Sequence, residues 1–142
     1  MTELFVSLRK LYVSWQFVQF LAVGGIAALL HWLARFAFNV YFSFTIAVVL
    51  AYAVGILVAF TLNRLFVFPQ SSRPMHQELT LFTIVNIAAF PFVIVISIVL
   101  GRYVLTGFLP PEWAHAIGHG IGVLSPVLVN FAVHKLITFK SD

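Results

Sequence analysis

His115 and His119 stand four residues apart, the spacing at which two imidazoles share one helix face and can meet a metal. A closed metal site wants about four ligands, and the chain has no cysteine and only Glu112 nearby. A polar wall is therefore the better reading of the pair, and no metal or cofactor is expected. The same face carries more: His115, His119, Gly122, Pro126, Asn130 and His134 fall within about 120° at helical spacing. Gly118, Gly120 and Gly122 leave little side chain there. Packing is the expected role for at least two of these glycines. Pro126 takes away a backbone donor and should kink the helix, freeing a carbonyl near Gly122 to face the same wall.

A second stripe joins Gly24, His31, Arg35 and Asn39, within about 80° of one another. Arg35 admits two readings, a cationic site for a phosphate or an arginine snorkelling from a helix end, and His31 one turn away favours the first. A third cluster pairs Asn63 with Arg64 and His134 with Lys135. Arg suits phosphate through its fork and Lys as a point charge. Asn86 either hydrogen-bonds a neighbouring helix or touches substrate. Ser97 and Ser125 have no acid–base partners in view, so the chain is not expected to be an enzyme.

The elements that must position these residues follow from composition. Of 142 residues, 62% are hydrophobic and 8% charged. A soluble domain carries roughly a quarter charged residues; so few cannot cover a water-facing surface, and lipid must cover it instead. Four apolar runs, about 15–38, 44–63, 79–100 and 113–137, each reach the roughly 20 residues a helix needs to cross a hydrocarbon core. The expected fold is an all-α integral membrane protein of four transmembrane helices in one domain over 15–139. An amphipathic interfacial segment over 1–14 precedes it, with Leu4, Phe5, Leu8, Leu11 and Tyr12 opposite Arg9 and Lys10. Only Asn39–Ser43 separate the first two spans, a polar loop over Pro69–Glu78 separates the second and third, and Gly101–Glu112 the last two.

Arg9, Lys10, Arg64, Arg73, Lys135 and Lys140 fall on one side, and Arg35 and Arg102 on the other. That bias places both termini in the cytoplasm. The basic residues are scattered between apolar runs and form no stripe for nucleic acid. The acidic residues Glu3, Glu78, Glu112 and Asp142 sit at span ends or outside them. An exporter of cationic drugs would hold a carboxylate at mid-membrane; with the interior polar groups cationic or neutral, the expected substrate is anionic.

The halves of the chain echo each other. The second span ends Ala59-Phe60-Thr61-Leu62-Asn63-Arg64-Leu65-Phe66-Val67-Phe68, and the fourth ends Asn130-Phe131-Ala132-Val133-His134-Lys135-Leu136-Ile137-Thr138-Phe139. A polar pair followed by an apolar-aromatic tail recurs, which predicts two helical hairpins of the same orientation as a weak parallel internal repeat. These endings, with the opening of the first span from Phe17 and Phe20 through Gly24-Gly25, resemble the GtrA-like family of small four-helix membrane proteins. The family pattern, Asn-Arg-x-aromatic-Val-Phe, fits Asn63-Arg64-Leu65-Phe66-Val67-Phe68. Asn130-Phe131 fits the Asn-Phe that precedes the second copy, but there His134-Lys135 replaces Asn-Arg and Ile137-Thr138 replaces aromatic-Val. The charge survives and the bidentate fork does not.

The resemblance implies a multi-pass protein of the cytoplasmic (inner) membrane that flips polyprenyl-phosphate-linked sugars for cell-surface polysaccharide synthesis, or assists a partner glycosyltransferase. On the flippase reading Arg35 with His31 holds phosphate in the outer layer and Arg64 with Lys135 in the inner. Asn63 and His134 flank the inner cations, while His115, His119, Asn86 and Asn130 line the path for sugar hydroxyls. So small a chain encloses little volume alone, and a homo-oligomer is a natural assembly. The alternative is a non-transporting membrane anchor or scaffold for the glycosyltransferase.

Overall fold

The structure is a computed structural model that describes Ser7 and residues 9–140. Of the amphipathic segment expected over 1–14, Leu4, Phe5 and Leu8 lie outside the described residues, and residues 9–12 are helical. The molecule is all-helical, with no strand among the described residues. Its four long helices are α1 (Trp15–Asn39), α2 (Phe44–Leu62), α3 (Met75–Ile98) and α4 (Pro111–Val133). Three of them run on into π-helical turns, at Asn63–Val67, Val99–Val104 and His134–Thr138. With those turns, the apolar helical stretches are 25, 24, 33 and 28 residues long, each enough to cross a membrane. Their sides are not core: Leu57, Phe90, Phe92, Ile98 and Leu128 are all exposed. Large apolar side chains exposed over whole helices are stable only where lipid replaces water. Trp15, Tyr103 and Trp113 are exposed near helix ends, the place of an aromatic belt.

Local chemistry explains the helix boundaries. Ser14 caps α1, its Oγ accepting from the Phe17 N–H at 3.2 Å while its hydroxyl donates to the Leu11 carbonyl. α4 starts at Pro111, whose missing N–H is harmless at a helix's first position, with Glu112 following at the positive end. α3 begins earlier than the apolar run suggests. The Pro74 carbonyl accepts from the N–H groups of Gln77 and Glu78, at 3.0 and 3.1 Å, and starts the helix there. The polar linker is thus 69–74, and Glu78 lies in the first turn of α3 rather than in a loop.

The chain divides into two compact units, residues 1–79 with 139–142, and residues 80–138. In the first, α1 and α2 pack against each other across the short link 40–43. The residues they bury are mostly small: Val23 and Ala27 on α1, Ala47 and Ala51 on α2. Small residues let helix backbones approach closely where hydrophobicity offers no driving force. Gly55 is part of this approach, since a Cβ there would lie 2.9 Å from His31 Cβ. Phe68 and Phe60 stack on Phe139 with ring centroids 4.8 and 5.9 Å apart. The chain's last described residue is tied in as well: the Lys140 carbonyl accepts from the N–H and hydroxyl of Ser72, both at 3.1 Å.

In the second unit α4 packs on the turn 99–104. A Cβ on Gly118 would overlap the Gly101 backbone, and one on Gly122 would strike Ser97 and the Val93 carbonyl; Gly120 faces open space. Two of the three α4 glycines therefore serve packing. Pro126 lies within α4, which continues to Val133. The carbonyl that this proline leaves without its helical donor, Gly122, accepts instead from the Ser125 hydroxyl at 2.8 Å. It is satisfied within its own helix, which corrects the expectation of a free carbonyl.

Candidate functional site

Two of the three π-helical turns, those ending α2 and α4, concentrate candidate residues. In a π turn the hydrogen bond reaches back five residues, as from the Phe68 N–H to the Asn63 carbonyl at 2.8 Å. Such turns break the regular ladder and are frequent at functional sites. At Asn63–Val67 the turn holds Asn63 buried, at 2% exposure. Its Nδ2 donates back to the Ala59 carbonyl at 2.8 Å, and its Oδ1 is buried without a hydrogen-bond partner. Gln16 of α1 braces the same turn, donating to the Val67 carbonyl at 2.7 Å.

Arg64 is where the structure departs most from the reading of the sequence. Its Nε donates to Glu78 Oε2 at 2.5 Å. The Glu78 side chain is fully buried, while that of Arg64 is 36% exposed. The second carboxylate oxygen, Oε1, is buried without a hydrogen-bond partner. Arg64 is therefore half of a neutral pair and not a bare cation. By sequence alone Glu78 falls at the end of the polar loop; in the structure it belongs to α3. A carboxylate in a chain with only four acidic residues, just ahead of an apolar span, was the available signal for it.

The ending at His134–Thr138 is built from its own unit. His134 is buried at 1% exposure, stacks on Phe82 with centroids 4.4 Å apart, and shares a hydrogen bond with Thr138 Oγ1 at 3.1 Å. Lys135 is half-buried and its Nζ lies 5.6 Å above the Phe131 ring, a cation–π contact.

At the far end of α1, Arg35 is half-buried. Its guanidinium lies 4.0 Å over the Phe36 ring and 5.5 Å from that of Phe44. His31 meets Tyr52 edge to face, with centroids 5.9 Å apart, so its ring is engaged in the α1–α2 contact. In the second unit His119 Nδ1 is 3.4 Å from Ser97 Oγ, and both His115 and His119 are exposed. Among the described residues, no three His, Asp or Glu side chains gather as a metal site would require. Asn86 donates to the Phe82 carbonyl of its own helix at 2.8 Å. Asn130 and Ser125 supply the polar edge of an otherwise apolar cleft of about 470 Å³, lined also by Val85, Ala89, Phe92 and Pro126. The structure thus brings Arg64 to Glu78, with Asn63 its neighbour in the chain, and keeps Arg35 one turn from His31. His119 pairs with Ser97, and Asn86 with the Phe82 carbonyl of its own helix.

No curated protein and no solved structure matches the chain. A family model for the GtrA/DPMS transmembrane domain matches residues 19–139, which takes in most of α1, the other three long helices and the three π-helical turns. The chain is therefore a multi-pass membrane protein of the GtrA/DPMS transmembrane-domain family, whose members are generally non-catalytic and are linked to glycosyl-lipid processes at membranes.

Proposed function

We propose that this protein flips polyprenyl-phosphate-linked sugars across the cytoplasmic membrane for cell-surface polysaccharide synthesis, with both termini in the cytoplasm. The observation that carries the reading is the paired ending. A buried polar side chain, Asn63 or His134, is followed by a half-buried cation, Arg64 or Lys135, on a π turn at the same point of two helices. A π turn interrupts the regular ladder, a feature frequent at functional sites. Arg35, held between two aromatic rings, supplies the cation of the opposite face, with His31 beside it. Sugar hydroxyls would meet Asn130, His115, His119 and Asn86 on the way, and the prenyl chain would lie along the apolar cleft beside Asn130. Residues 1–14 would rest in the interface. Self-association would enlarge the path.

One observation favours a second reading, a non-transporting anchor for a glycosyltransferase. Glu78 already neutralises Arg64, which leaves the inner layer less cationic than a count of its charges suggests. Reconstitution of the purified chain in liposomes decides between the two. On the transport reading, glucosyl polyprenyl phosphate becomes accessible from both leaflets, and Arg35→Ala and Arg64→Ala each slow this at least tenfold. Unchanged rates in both variants would remove the site assignment. No transport by the isolated chain, with a glycosyltransferase co-purifying, would leave the anchor.

A further inference from the structure

We propose that the Arg64–Glu78 pair selects singly charged phosphodiester headgroups over doubly charged phosphomonoesters. The inference rests on the phosphate-lipid reading given above and assigns Glu78 as the specificity-determining residue.

Three features of the pair carry it. Glu78 is fully buried and Arg64 is 36% exposed, so the arginine presents the face a ligand can reach. The Nε–H is committed to Glu78 Oε2, and the donors that remain for a phosphate are those of the two terminal nitrogens, a fork matched to phosphate oxygens. Finally, Glu78 cannot be displaced cheaply. Drawing Arg64 away would leave a buried carboxylate with no counter-ion among the described residues, and its Oε1 already has no hydrogen-bond partner. A phosphate therefore docks on the outer edge of the guanidinium while the carboxylate stays on the inner edge.

That geometry makes the ligand's charge decisive. Carboxylate and phosphate would sit on two edges of one guanidinium, where like charges in a partly desolvated site repel. Since Glu78 already neutralises Arg64, a phosphodiester takes the site to a net charge of about −1, a load that the fork of hydrogen bonds from the terminal nitrogens offsets. A phosphomonoester brings about 1.5 to 2 near neutral pH, makes the same hydrogen bonds, and meets up to twice the repulsion from Glu78. A polyprenyl phosphate carrying a sugar is a diester; once the sugar has been transferred, the lipid is a monoester. The pair would thus hold the loaded carrier and let the spent one go.

The test uses the full purified chain and native mass spectrometry, with two competing lipid pairs. One pair is a polyprenyl phosphate and its glucosyl ester; the other is phosphatidate and phosphatidylglycerol of matched acyl chains. Wild type should retain each diester over its monoester by about tenfold. Glu78→Gln should bring both ratios close to parity, through a gain in monoester. If that variant does not elute as a monodisperse species, Arg64→Gln/Glu78→Gln carries the test. With both charges gone it should bind less of each lipid and still show parity. An ester preference that is absent in wild type, or unchanged when the carboxylate is removed, overturns the inference. Preference for prenyl over diacyl lipids reports separately on the transport reading. If that preference is missing while Glu78→Gln still abolishes ester discrimination, the transport reading falls and this inference stands. The reverse result spares the transport reading and removes this one.

Discussion

The endings of α2 and α4 are one backbone device carrying two different electrostatic loads. Each runs from a buried phenylalanine, Phe60 or Phe131, to a buried polar residue, Asn63 or His134, and then to a half-buried cation. Two exposed apolar residues follow, Leu65-Phe66 or Leu136-Ile137, then a buried Val67 or Thr138 and a buried Phe68 or Phe139. From Asn63 and His134 onward the burial pattern repeats residue for residue, and each ending turns as a π helix. The side chains then diverge. Asn63 bonds backward to Ala59 and leaves its oxygen unpartnered, whereas His134 bonds forward to Thr138. Arg64 is neutralised by Glu78, and Lys135 leans on an aromatic ring that leaves its charge intact. Shape is thus repeated while charge is not, and the ending that keeps the family's arginine is the one whose charge is balanced.

The largest test of the shared device removes its first anchor. Phe131→Ala and Phe60→Ala should each destabilise the protein by about 3 kcal/mol, read as a fall in thermal unfolding temperature in detergent. A large loss at one position and little at the other would break the structural equivalence. Charge comes next. Lys135→Gln should weaken retention of every anionic lipid about fivefold and leave the diester-to-monoester ratio as in wild type. A changed ratio would mean that the second ending also discriminates between esters. Hydrogen bonding is a smaller effect. Thr138→Val takes a partner from a buried ring and should cost about 0.6 kcal/mol, the average for such bonds within membranes. Asn63→Ala should be the mildest, near zero in the same unfolding measurement. It loses the bond to Ala59 but also removes an acceptor that has no partner. A greater loss for Asn63→Ala than for Thr138→Val would show that the Asn63 oxygen finds a partner in the membrane.

Much of this was legible in the residues themselves. Uninterrupted apolar runs fix the four spans, because the cost of exposing backbone and charge to lipid is local and adds along the chain. The repeated endings and the family's Asn-Arg pattern were likewise readable by position, and the packing role of the α4 glycines followed from their lack of side chains. What the sequence could not decide is which side chains meet. Arg64 and Glu78 are fourteen residues apart, on opposite sides of a polar linker. Only the early start of α3 after Pro74, and the π turn at Asn63, bring guanidinium and carboxylate to 2.5 Å. The same holds for His31 against Gly55 and Tyr52. Hydrophobic length is a property of each segment alone, whereas an ion pair depends on the rotation and end point of two helices at once, and packing sets both.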